Sequence, residues 1–253
     1  MPYGSRTMLI TAGNRPRWRF VRSLFATFIG AIEPHSHIRW SAIKRGLDSL
    51  QLPLHPAHVL EVGCGGGEMT LELAAMLKPD LFMACDLANP SLSRAVASCA
   101  IADATHLPFA SNSQDLVTIL DVIEHIELDN DVLREVIRVL QPGGHVLISV
   151  PTPEYPRWFG RSFHESLGHV RDGYTPDQLV AMVERVGLEP LLVRSYTGVL
   201  FLAFAAFYYR YLRSNVFASA LAVAVSKPLV LADRYLPSPT WGSLVLTALK
   251  PPK

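Results

Sequence analysis

Between Val59 and Ala74 the chain reads VLEVGCGGGEMTLELA. Four glycines fall within five residues, directly after a short apolar run and directly before a helical pattern. Backbone so rich in glycine can turn tightly and let a ligand approach closely. Between a strand and a helix, such a turn commonly holds part of a nucleotide. This one stretch commits the surrounding chain to βα units.

The residues that follow keep the pattern. HVLEVG reads as a first buried strand, with a helix over Glu68–Leu77 behind it. LFMACD, CAIAD, DLVTILD and HVLISVP read as four more strands. Helices are expected over about Pro90–Ala97 and Asn130–Leu140, the second closed by QPGG. Strands alternating with helices mean a parallel sheet covered on both faces. Right-handed crossovers bring every strand's C-terminal end to one edge, where open sheets of this kind bind ligands. After a long loop from Pro151 to Gly173, TPDQLVAMVERVG reads as a helix with Thr175 as N-cap and Gly187 as its stop. LEPLLVRSY and WGSLVLTALK supply a sixth and a seventh strand. The expected organisation is a basic, helical segment over 1–56 and one α/β domain over 57–253, with an apolar helical insertion at 198–239.

A chain of 253 residues is long enough for that single large domain. A net charge of +1 creates no global field for nucleic acid. The charge is uneven, however: Arg6, Arg15, Arg17, Arg19 and Arg22 precede the first carboxylate, Glu33. Cys64, Cys85 and Cys99 are scattered singly and fit a reducing, cytoplasmic setting. The first apolar stretch, Phe20–Ile32, comes late and has no cleavage site, so no signal peptide is expected; an organelle transit sequence stays open.

Three ligands compete for the glycine turn. A P-loop needs GxxxxGK[ST], but Glu68 follows Gly67 and no lysine is at hand. A dinucleotide turn needs GxGxxG; Gly63 and Gly65 fit and Glu68 does not. Asp86, ending the second strand, suits the ribose of any adenosine. Glu61, two residues before the glycines, would repel a pyrophosphate. Asp103 ends the third strand and can accept from the adenine amine; Asp121 ends the fourth and can face an ammonium. Acids at three strand ends suit a cationic adenosyl ligand.

At these residues the sequence resembles a family. ExGCGxG at Glu61–Gly67, Asp86, DATHLPF, DLVTILDVIEHI and VLQPGGHVLISVP are similar to the successive motifs of class I S-adenosylmethionine (SAM) methyltransferases, in particular the small-molecule group that includes the ubiquinone and menaquinone enzymes. The resemblance covers about Val59 to Leu188. It implies a Rossmann-like, three-layer α/β fold with a seven-stranded sheet, parallel except for the last strand, and SAM as cofactor. Carried over residue by residue, Gly63, Cys64 and Gly65 line the methionine part, with Gly67 completing the turn. Asp86 binds the ribose with Leu87 beside the adenine, Asp103 and Ala104 hold the adenine edge, and Asp121 and Val122 lie near the methionine amine and the sulfonium. Cys64 needs only to be small; a nucleophilic role is set aside.

The acceptor is less legible. Methyl transfer from an activated sulfonium demands alignment, with a base only for hydroxyl or carbon acids. LDVIEH replaces the [DNS]PP[YF] turn used on flipped bases, so nucleic acid is not the expected acceptor. No metal-ligand cluster is evident, and no metal is expected. Candidate bases are Glu124, His125, His164 and His169, with His125 and His169 preferred; the plainer role for His125 is a structural hydrogen bond. In SFHESLGHVRDGYTP, His164, Arg171 and Tyr174 are candidate acceptor contacts.

The insertion puts Phe201, Phe204, Tyr208 and Tyr211 on one helical face. Its two apolar runs are each too short to span a bilayer. Asn215 is expected to cap the second helix and Pro228 to end it. Three roles stay open: packing on the sheet or on a second copy, a lid over a greasy acceptor, or peripheral membrane contact through 15–32 and 198–232. The oligomeric state is open. The expected function is SAM-dependent methyl transfer to a small or lipid-like acceptor at oxygen or carbon. The alternatives are an N-methyltransferase of a lipid or small amine, and a SAM-binding regulatory or assembly protein without transfer.

Overall fold

The computed structural model describes residues 39–40, 43–44, 47–48, 56–88, 98–195, 197–212, 216–233 and 242–252. The helices expected at 20–32 and 90–97, the basic stretch 15–32 and Asn215 lie outside them.

Seven strands form one sheet: β1 (His58–Val62), β2 (Leu81–Asp86), β3 (Ser98–Ile101), β4 (Gln114–Leu120), β5 (Leu140–Pro151), β6 (Glu189–Ser195) and β7 (Ser243–Leu249). Their spatial order is β3-β2-β1-β4-β5-β7-β6. The pairs from β3 through β5 are parallel, and β7 runs antiparallel to both its neighbours. This is the three-layer fold that the motifs implied.

Alternation along β1 sorts the core into two layers. Leu60 and Val62 join one cluster with Val132, Leu133 and Val136 of α2 (Asp129–Val139) and with Leu179 and Val183 of α5 (Pro176–Arg185). Val59 faces the other cluster, with Leu73 and Leu77 of α1 (Glu68–Leu77), Phe201 and Ala205 of α6 (Val199–Phe207), and Ile43 and Leu47. Strands buried on both faces read as continuous apolar runs, which is why they were legible. Ile43 and Leu47 show that the segment before residue 57 contributes to this core.

Several details differ from expectation. QPGG is not a turn after α2 but the start of β5, where Gly143 N–H donates to the Lys250 carbonyl and Lys250 N–H to that of Gly144. Pairing with the last strand captured residues that local glycine content assigns to a turn. The loop after β5 holds two short helices, α3 (Tyr155–Phe159) and α4 (Arg161–Ser166). In the insertion, α6 runs into a π turn over Tyr208–Leu212, and α7 (Val216–Asp233) passes through Pro228 rather than ending there. A proline inside a helix removes one backbone donor, and α7 absorbs that loss. Thr175 caps α5 as expected, in a reciprocal box with Gln178.

Candidate functional site: the C-terminal edge of the sheet

The chain leaves β1 in one direction toward β2 and β3, and β4 and β5 lie on the other side. The crevice between the C-terminal ends of β1 and β4 is therefore the switch point where such sheets bind ligands. Register brings the four strand ends level: Val62 pairs with Cys85 and Ile119, and Asp86 with Ile101.

The glycine turn sits at this crevice. Gly63 and Cys64 donate their N–H groups to the Cys85 carbonyl, at 2.7 and 3.1 Å. Gly63 has φ +77, and a Cβ there would stand 2.2 Å from Val122 Cγ2. Glycine is thus required because the turn touches the loop after β4, a reason distinct from ligand approach. Gly65 has φ +49 with open space around it, facing the crevice mouth. Its N–H donates to Asp86 Oδ2 at 2.8 Å, and Ala88 N–H to Oδ1 at 2.9 Å. Asp86 therefore ties the turn to the end of β2 before any ribose arrives. Leu87 beside it is 77% exposed, as an adenine platform must be. Cys64 is buried, and burial pushes its thiol up to about 12, which removes it as a nucleophile.

Glu61 departs from its expected place on the ligand's side. It is 2% exposed and lies beneath the turn, where it accepts a hydrogen bond from Thr70 of α1. Burial raises its carboxyl to about 7, against the lowering effect of Thr70 and Arg39. Its charge is therefore a weak argument against a pyrophosphate, and that argument passes to Asp86, Asp103 and Asp121. The folded protein holds the Glu61 proton more tightly than the unfolded chain does. This stabilisation is full below pH 4.5 and is lost as pH rises through about 7. Glu61→Gln keeps an acceptor for Thr70 and should flatten the fall in melting temperature across that window. A melting series in both proteins checks it; equal slopes would exclude Glu61 as the cause.

Asp103 is exposed at the edge. Thr105 donates to it from both N–H and Oγ1, at 2.8 Å each, and these bonds hold its carboxyl below the usual range. Ala104 behind it is buried.

Asp121 holds a surprise. It sits at φ +55, a left-handed conformation that aspartate tolerates better than most residues. Its carboxylate is not free for an ammonium group. Arg39 Nε lies 3.0 Å from Oδ2, and Ser149 Oγ donates to Oδ1 at 2.7 Å. Arg39 also donates to the Leu120 carbonyl at 2.7 Å. A methionine tail entering here meets an arginine as well as an acid, a match for its own carboxylate and ammonium. Sequence reasoning missed Arg39 because nothing local ties residue 39 to residue 121; only the packing of Ile43 and Leu47 on the sheet does.

Past Val122, a 3-10 turn over Ile123–His125 carries the candidate bases. The loop after α4 folds back onto it: Val170 N–H donates to the Glu124 carbonyl at 3.0 Å, and His125 Nδ1 lies 3.2 Å from the Gly168 carbonyl. His125 and His169 meet edge to face at 4.6 Å, and His169 meets His164 likewise at 4.4 Å. Burial, then the neighbouring His125 and His164, lower His169 to about 4, so it is neutral at physiological pH. Glu124 is fully buried, and burial followed by the nearby Asp121 pushes its carboxyl well up. Donor atoms of Glu124, His125 and His169 all lie within 4.8 Å of one another. Sequence alone showed no sign of this grouping, because residues 44 positions apart meet only when the loop closes.

Arg171 and Tyr174, expected at the acceptor, hold the loop instead. Arg171 pairs with Asp129 and donates to the Ile126 carbonyl at 2.6 Å. Tyr174 is buried and its hydroxyl donates to Asp129 Oδ2 at 2.9 Å. His164 is likewise buried, inside the histidine row rather than at its mouth. The aromatic side of the crevice comes from elsewhere. Phe159 meets Tyr209 of the insertion edge to face at 5.8 Å, and Phe163 lies tilted against it at 5.9 Å. The insertion buries Phe201, Leu202, Ala205 and Tyr208, so that face packs on the domain, and it leaves Phe207 and Tyr211 exposed. Tyr211 thus departs from the face it was expected to share with Phe201 and Tyr208. Among the described residues no helix is long and apolar enough to cross a membrane.

Residues 60–148 match a family model described as a methyltransferase domain. A tRNA (carboxymethyluridine(34)-5-O)-methyltransferase of Arabidopsis thaliana is 30% identical over 131 residues, 47% of this chain and 30% of that protein. A demethylmenaquinone methyltransferase of Lactiplantibacillus plantarum is 35% identical over 113 residues, 40% of this chain and 48% of that protein. The chain thus spans less than half the length of these two relatives. Among solved structures, a phosphoethanolamine N-methyltransferase 2 of Haemonchus contortus in complex with S-adenosyl-L-methionine aligns with TM-score 0.60 at 19% identity, over 99% of this chain and 61% of that one, a likeness of fold. SAM is the cofactor to which the glycine turn and the strand-end acids correspond. Sheet order, motif order and the methyltransferase-domain match over residues 60–148 all agree with the class I S-adenosylmethionine-dependent methyltransferases.

Proposed function

We propose that the chain transfers the methyl group of SAM to a small or lipid-like acceptor, at oxygen or carbon. One juxtaposition carries the reading. The loop after β4, which touches the glycine turn through Val122, continues directly into His125, and Tyr155 links the histidine row to the aromatic cluster, its ring 6.3 Å from His164 and 4.5 Å from Phe159. Such a space offers an apolar wall and the neutral His169 imidazole to a hydroxyl or an activated C–H.

The chemistry follows from these parts. Asp86 and Asp103 orient the adenosine, and Arg39 with Asp121 orients the methionine end. The sulfonium is already activated, so holding the acceptor atom in line with the methyl–sulfur bond supplies much of the rate. His125 and His169 are assigned to the acceptor proton. The relatives support this reading in a limited way: one is named for a quinone precursor, and the match to the tRNA enzyme covers too little of it to carry its acceptor across. N-methylation is the runner-up, supported by fold likeness to the phosphoethanolamine enzyme.

The test is a release assay for S-adenosylhomocysteine with quinols, phenols, malonyl thioesters and phosphoethanolamine as acceptors. Turnover with an oxygen or carbon acceptor is expected. Turnover confined to the amine would replace this reading with N-methylation. Cofactor binding without turnover on any acceptor would favour a non-catalytic role.

A further inference from the structure

We infer that Glu124, His125 and His169 form a site for one divalent transition-metal ion at the acceptor end of the crevice. Three observations converge. The first is the donor set: one carboxylate oxygen and two imidazole nitrogens, mutually within 4.8 Å. Two histidines and one carboxylate are a recurrent set for zinc, iron and manganese, and they leave coordination positions open.

The second is an orphaned acid. Glu124 is fully buried, and neither carboxylate oxygen accepts a hydrogen bond from a neighbour. A buried carboxyl without a partner is costly unless a cation or a proton completes it. Arg39 and Arg171, the two cations whose charge acts on Glu124, are engaged with Asp121 and Asp129. Among the described residues, no neighbouring side chain hydrogen-bonds the acid, which lies beside the two histidines.

The third is the orientation of the imidazoles. Ligating histidines are held by a hydrogen bond from the second ring nitrogen to a carbonyl or carboxylate. His125 Nδ1 lies 3.2 Å from the Gly168 carbonyl, which fixes the proton on Nδ1 and leaves Nε2 bare. His169 Nδ1 lies 3.1 Å from His164 Nδ1, and His164 Nε2 is 3.4 Å from Asp172, itself clamped by both Arg161 nitrogens at 3.1 and 2.9 Å. With His169 Nδ1–H donated to His164 Nδ1, His164 carries its proton on Nε2, which lies near Asp172 and makes no hydrogen bond among the described residues. His169 Nε2 is then bare as well. Metal–ligand bonds of about 2.1 Å hold tetrahedral donors roughly 3.4 Å apart. The donor atoms, within 4.8 Å of one another, draw closer to reach that spacing when an ion binds.

The use of such an ion rests on the methyltransferase reading; its binding does not. With an ion bound, both imidazoles are ligands rather than the base assigned above, and an acceptor hydroxyl on an open position would lose its proton to solvent more readily. Its oxygen would then attack the methyl carbon as the carbon–sulfur bond breaks. The electron pair stays on sulfur, and the products are a methyl ether and neutral S-adenosylhomocysteine. This deepens the proposed function toward oxygen acceptors.

The test uses the full chain, stripped with a chelator, saturated with S-adenosylhomocysteine and titrated with cobalt(II). Expected are one ion per chain, visible absorption bands of mixed nitrogen and oxygen ligation, and displacement by zinc. His125→Ala and His169→Ala should each weaken binding by more than about tenfold, whereas His58→Ala at the opposite edge should not. Stoichiometric binding that survives both ligand substitutions would overturn the inference, as would no saturable binding by the wild type. His125 is exposed, so its variant should fold, and it decides the matter alone if His169→Ala does not. Cofactor binding without metal sinks this inference and spares the methyltransferase; metal without cofactor does the reverse.

Discussion

Gly63→Ala is expected to lose about 3 kcal/mol of stability and all measurable SAM binding. Two costs add. A left-handed conformation costs a residue with Cβ about 1–2 kcal/mol. Overpacking costs about 1–3 kcal/mol more, and here the new Cβ meets Val122 Cγ2 at 2.2 Å. The turn or the loop after β4 must move, and the two together position Asp86, Asp121 and His125. Gly65→Ala has the strain without the clash, so it should melt closer to wild type. Chemical denaturation and calorimetry with S-adenosylhomocysteine check both. Val122→Ala should return part of the stability lost in Gly63→Ala but none in Gly65→Ala, because neighbours couple and distant sites do not. Equal losses in the two glycine variants would remove the role given to Val122.

Asp86→Asn is expected to weaken cofactor binding by about 100-fold or more while folding stays close to wild type. A carboxylate accepting from the two ribose hydroxyls makes charge-assisted bonds of about 1.5–3 kcal/mol each, and about 1.4 kcal/mol is tenfold in affinity. Asparagine keeps an acceptor for one of the N–H groups of Gly65 and Ala88, so the turn survives. Calorimetry at fixed temperature, paired with a melting curve, separates binding from folding. A change of less than about threefold would mean that the ribose lies elsewhere.

Much of this architecture was legible in the chain. Strands β1, β2 and β4 are apolar on both faces, and their neighbours end in glycine or acid, so period and punctuation agree. The cofactor edge was legible for the same reason: Asp86 ends β2, Asp103 and Asp121 follow β3 and β4 within two residues, and parallel topology makes strand ends neighbours. What sequence could not show depended on tertiary closure. Arg39 reaches Asp121 across 82 positions through packing of its helix on the sheet. Arg171 and Tyr174 looked like acceptor contacts because they occupy the right loop, yet both turn toward Asp129. Glu61 looked ligand-facing by motif, but strand alternation puts it beneath the turn with Thr70. QPGG was drawn into β5 by the chain's last strand. The histidine cluster was named residue by residue, although its capacity to share one ion appeared only when the loop folded back.

The central claim is that the glycine turn and three strand-end acids form a site for SAM rather than for a dinucleotide. Calorimetric titration of the full chain with S-adenosylhomocysteine, and separately with NAD, tests it most directly. The account predicts one saturable site per chain for S-adenosylhomocysteine, competed by SAM, and no binding of NAD at the same concentrations. Binding of NAD with no heat from S-adenosylhomocysteine would contradict it.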